Sequence, residues 1–115
     1  MTKTLKQELT QDCLKVLRIL YNKQRMYDGY FTTEFLQDEL STTPIPLRPK
    51  MERAFRYLIE AEQKRYLDAV EVRDCQIIGG LKRTIISRAY RIRDDKIGEI
   101  ENKIGEVEKL LGITK

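Results

Sequence analysis

The sequence predicts a mainly α-helical chain carrying one small β-hairpin, an α+β class, with a last helix set apart for association. Three observations carry this. Apolar residues recur at helical spacing over residues 4–25 and again over residues 47–64. Residues 66–93 change to alternation on either side of Gly79-Gly80, the pattern of two strands and a turn. Residues 96–109 then repeat a seven-residue unit, KIGEIEN followed at once by KIGEVEK.

The 115 residues suit one domain, read as residues 1–93, followed by a helix over residues 94–115. No apolar run approaches the ~20 residues of a membrane span. The opening MTKTLKQELTQD lacks the apolar centre of a signal peptide, so a cytoplasmic protein is expected. Formal net charge is +4, unevenly spread. Residues 1–41 hold six basic and six acidic groups, residues 42–93 twelve and six, and residues 94–115 four and six. A basic zone confined to the middle of the chain points to a polyanionic partner.

Catalysis finds little support. There is no histidine, and the two cysteines, Cys13 and Cys75, form no CxxC pair. A cysteine nucleophile therefore has no imidazole base, and a structural zinc site lacks its ligands. Gly79-Gly80 is not followed by the GK[ST] of a phosphate loop. The chain is read as a non-enzyme with no cofactor, no metal, no membrane partner and no evident small-molecule ligand.

In the first helix, Leu5, Leu9, Cys13, Val16, Leu17 and Leu20 share one side. Thr4 with Gln7 can form a capping box, or Thr10 can cap a later start. Asp28-Gly29 makes a turn, and Tyr30-Phe31 is long enough only for a β-bridge. Thr32 is placed to cap a short second helix over residues 33–40, with Phe35, Leu36 and Leu40 inward. The prolines at 44 and 46 prevent its continuation.

Residues 47–64 read as a single helix, with Pro49 at the first helical position, where its missing N–H costs nothing. Met51, Ala54, Phe55 and Leu58 make the apolar stripe. Lys50, Arg53, Tyr57 and Lys64 take the opposite side, with Glu60 among them, flanked by Arg48 and Arg56. Such a helix can rest on a small core and enter a DNA major groove.

The hairpin is expected to have its tip near residues 76–83. Its buried face is left between Ile86, Tyr90 and Ile92 on one side and Ile85 and Ala89 on the other. In the last helix, Ile97, Ile104 and Leu111 take a positions and Ile100 and Val107 take d positions of a coiled coil. Lys96 and Lys103 then fall at g, and Glu101 and Glu108 at e. That charge arrangement favours parallel pairing in a homodimer, to which the first helix is expected to contribute.

Helix, short helix, longer helix and hairpin, over residues 8–93, resembles a winged helix-turn-helix domain. The resemblance implies a third helix in the major groove and a wing on the backbone or minor groove. Thr42, Thr43, Arg48, Lys50, Arg53 and Tyr57 become groove-facing candidates, and Lys82, Arg83 and Arg88 wing contacts. The implied function is sequence-specific binding of double-stranded DNA as a homodimer. The role is that of a transcriptional regulator or a plasmid- or phage-type replication or partition factor. The alternative is a winged-helix protein-interaction module without DNA contact, favoured by an exposed apolar patch on the third helix.

Overall fold

Thr10 fixes where the first helix begins. Its Oγ1 accepts the Cys13 N–H at 3.1 Å, satisfying a donor that the helix leaves free. The computed structural model describes residues 9–112, and the alternative capping box at Thr4 and Gln7 lies outside them. Helix α1 spans Gln11–Met26. Phe31 follows as an isolated bridge to Tyr90, and helix α2 spans Glu34–Leu40. Thr33, not Thr32, precedes α2, and it makes no side-chain cap.

The proline segment delays the third helix. Arg48, before Pro49, is extended as that proline demands, and Lys50 after it is extended too. Pro49 is buried, so it anchors the segment on the core and does not open a helix. Two short 3-10 turns, Ile45–Leu47 and Met51–Arg53, occupy the stretch. Helix α3 is therefore only Ala54–Gln63. Its end is a Schellman closure. The Tyr66 N–H donates to the Ala61 carbonyl and the Arg65 N–H to Glu62, with Arg65 at φ 67°.

Strand β1 (Leu67–Ile78) and strand β2 (Leu81–Ile92) form an antiparallel ladder running from Leu67↔Ile92 to Ile78↔Leu81. Gly79 and Gly80 make the turn with both φ values positive, a conformation open to glycine. The strands are longer than the alternation implied. At ~3.4 Å per residue the ladder reaches roughly 40 Å. Only its base is packed: every residue from 73 to 86 is exposed. Ile86, Tyr90 and Ile92 share the core-facing side of the ladder, and Ile85 and Ala89 the other. Ala89 is buried nonetheless, one residue from the Tyr90 that bridges Phe31.

Helix α4 spans Ile97–Leu110 and lies on α1. One core takes Val16, Leu17 and Leu20 from α1, Leu36 from α2, Leu58 from α3, Tyr90 and Ile92 from β2, and Ile100 from α4. The expectation for the terminal helix needs correction here. Ile100, Ile104 and Val107 are buried in this core, and Ile97 and Leu111 are packed against it. Three such side chains contribute roughly 4–9 kcal/mol in gross terms. With the stripe already buried on α1 it is not open to a second chain, and exposed coil charges alone offer only ~0.2–1 kcal/mol a pair. Both e-position carboxylates are also engaged within the chain: Glu108 accepts from Arg18 Nε at 2.7 Å and Glu101 from the Tyr21 hydroxyl. Among the described residues, no helix is long and apolar enough to cross a membrane.

Candidate nucleic-acid interface

The register of α3 decides which side chains it offers. Ala54, Leu58 and Ala61 are its buried residues. At roughly 100° per residue, Arg56 and Gln63 then stand opposite the core, with Phe55 on one flank and Tyr57 on the other. This turns the helix away from the expected stripe. Phe55, assigned to the core, is 49% exposed. Tyr57, assigned to the groove face, leans on α1: its hydroxyl donates to Asp12 Oδ2 at 3.3 Å. Partial desolvation, and then the Asp12 carboxylate, hold its phenol above the ordinary pKa. Tyr57 therefore forms a joint between α3 and α1.

The two threonines close α2. Thr43 is 5% exposed, and its Oγ1 donates to the Glu39 carbonyl at 2.7 Å. The Thr42 hydroxyl donates to the same carbonyl at 3.0 Å. Buried Thr43 is removed from the candidate surface, while Thr42 stays exposed. Arg48 is exposed but partly fixed, its Nε donating to the Thr43 carbonyl at 3.0 Å. Arg88 leaves the hairpin's cationic set for a different reason. It forms an ion pair with Glu62 of α3 and lies over the Tyr90 ring. That pair ties the base of the hairpin to the C-terminal half of α3.

The remaining cations sort into two groups. Arg73, Arg91 and Arg93 each pair with a nearby carboxylate. Arg48, Lys50, Arg53, Arg56, Arg65, Lys82 and Arg83 have no carboxylate partner among the described residues. Five of these seven are Lys50, Arg53 and Arg56 at the start of α3 and Lys82 and Arg83 at the hairpin tip. Arg25, Lys103 and Lys109 likewise lack a carboxylate partner among the described residues, but on α1 and α4, and Arg25 lies over the Tyr21 ring. From Cys75 to Arg93 there is no acidic residue at all. The uncompensated charge of the basic middle zone thus lies on the approach to α3 and on the exposed end of the ribbon.

Between these elements runs a groove lined by Thr32, Thr33, Phe55, Ile86 and Arg88. Phe55 and Ile86 give it exposed apolar walls. No cluster of three or more His, Cys, Asp or Glu side chains suited to a metal occurs among the described residues. Arg56 is the interface candidate that the sequence reading left at the margin. The signal was Ala61, which completes a stripe with Ala54 and Leu58 and sets the register by which Arg56 faces out. No protein-family model, curated protein sequence or solved structure matches this chain.

Proposed function

We propose that this protein binds double-stranded DNA, presenting the start of α3 and the tip of the β1–β2 hairpin in the manner of a winged helix-turn-helix domain. The single observation that carries the reading is the placement of uncompensated cations. Arg91 and Arg93 at the hairpin's base are neutralised, while Lys50, Arg53, Arg56, Lys82 and Arg83 are not. The order of elements and the Arg88–Glu62 tie between ribbon and helix support it.

In this reading Lys82 and Arg83 hold phosphates and set position. Arg56 and Arg53, on the outward side of α3 and the turn before it, reach base edges. The biological role is that of a transcriptional regulator or a replication or partition factor. A second copy, if recruited by a two-fold operator, has to pair through a surface other than the apolar stripe of α4.

The test is gel-shift selection from random duplexes at two salt concentrations. Each phosphate contact contributes about −0.9 to the log–log salt slope, and Lys82→Ala with Arg83→Ala flattens it. Absence of duplex binding at low salt overturns the proposal. One observation favours a second reading, a protein-interaction module: the exposed Phe55 and Ile86 line one groove. Saturable binding of a protein partner, lost in Phe55→Ala, together with no DNA binding, decides for it.

A further inference from the structure

The outer half of the hairpin carries more apolar surface than a solvated, phosphate-touching wing requires. Ile77 is 75% exposed, Leu81 62% and Ile78 49%, and none of the described residues covers them. A grouped apolar surface left in water marks a contact site. The same stretch holds Lys82 and Arg83 and no carboxylate, so its partner must be anionic outside and apolar within.

We infer that the hairpin tip is a wedge, which enters the DNA minor groove and inserts Ile78 and Leu81 at a base step, unstacking and bending the duplex. This rests on the duplex-binding reading above. The dimensions agree. Ile78 and Leu81 are the last cross-strand pair before the turn. From that pair to Gln76↔Arg83 is two residues, about 7 Å along the ribbon. The minor groove is about 7.5 Å deep and about 6 Å wide. With the apolar pair at the floor, Arg83 stands level with the phosphates at the rim. The two strands are spaced ~4.8 Å apart, and the turn adds no side-chain bulk at the leading end because Gly79 and Gly80 form it. Apolar side chains of this kind separate base pairs and bend DNA towards the major groove. An anionic bilayer shares the chemistry, and binding to anionic vesicles is the arm of the experiment that distinguishes it.

The experiment uses the full chain and a short mixed-sequence duplex with 2-aminopurine at a central TA step, a step that unstacks easily. Wild type is expected to raise the fluorescence and to shorten the end-to-end distance seen by energy transfer between the duplex ends. Ile78→Ala with Leu81→Ala should lose both signals while keeping most of the affinity. Lys82→Ala with Arg83→Ala should lose affinity first. The tip packs on none of the other described residues, so an unchanged urea midpoint confirms that the variants are folded, and Leu81→Ala alone serves as a milder second variant. Wild-type binding with no rise in fluorescence and no bend overturns the wedge and leaves duplex binding intact. Failure to bind the duplex, or tip-dependent binding to phosphatidylserine vesicles in its place, overturns both.

Discussion

Arg18 of α1 donates its Nε–H to Glu108 of α4 across 2.7 Å, joining the first helix to the last. Both side chains are mostly shielded, at 13% and 25% exposure, so the pair is stronger than an open surface bridge. Glu108→Ala is expected to cost about 1–2 kcal/mol of stability, read from urea midpoints. Arg18→Ala should cost a similar amount, and the double variant little more than either. Additive losses in that cycle would show that the pair is not coupled.

The burial of α4's stripe changes what its disruption does. Ile100 is 0% exposed and Ile104 7%. Placing carboxylates there leaves buried charges with no partner, among the most destabilising of single changes. Ile100→Asp with Ile104→Asp should therefore unfold the chain, and not release a folded monomer from a dimer. Circular dichroism and sedimentation separate the two: a folded monomer from an oligomeric wild type would restore the coiled-coil account.

Cys13 offers a pH test of the core. Its thiol is buried and donates to the Tyr57 carbonyl at 3.3 Å. Burial, and then the Glu60 carboxylate, push its pKa from 9.0 up to about 12. The folded state thus keeps a proton that the unfolded state gives up. The stabilising contribution is full below pH 9, falls as pH rises from there, and is gone above about 12. Wild type should lose stability across that window more steeply than Cys13→Ala. In native protein a thiol reagent should modify exposed Cys75 alone, and both cysteines after denaturation. Equal alkaline slopes, or rapid native modification of Cys13, would contradict this.

Periodicity made the coarse fold legible. Cys13, Val16, Leu17 and Leu20 mark α1, and Gly79-Gly80 marks the hairpin turn. What it could not supply was which neighbour an apolar stripe meets. The repeat in α4 satisfies a coiled-coil pattern, yet the same spacing serves a helix lying on α1, and only the fold distinguishes them. Phe55 misled in a related way. Counted with Met51 it turns the α3 wheel by roughly half a side-chain step, which brings Tyr57 outward, while Arg56 faces away from the core under either count. Pro49 read as a helix start because local rules cannot know that its ring is buried. The hairpin's length was obscured because strands exposed on both faces do not alternate.

The register of α3 yields the sharpest contrast between neighbours. Arg56 stands opposite Ala54, Leu58 and Ala61, is exposed, and has no carboxylate partner among the described residues. Tyr57 turns to Asp12 of α1. If α3 reads the major groove, a lost bidentate arginine contact costs about 1–3 kcal/mol of discrimination. Arg56→Ala should therefore relax sequence preference, lowering affinity for a selected site far more than for random duplex. Tyr57→Phe removes only the hydroxyl that meets Asp12, so it should lower the urea midpoint slightly and leave the preference unchanged. Both variants go through the same gel-shift competition, with selected and random duplexes at one salt concentration. An equal loss on both duplexes would make Arg56 a phosphate contact only. Loss of preference in Tyr57→Phe with an unchanged midpoint would return Tyr57 to the groove and refute the register drawn from Ala54, Leu58 and Ala61.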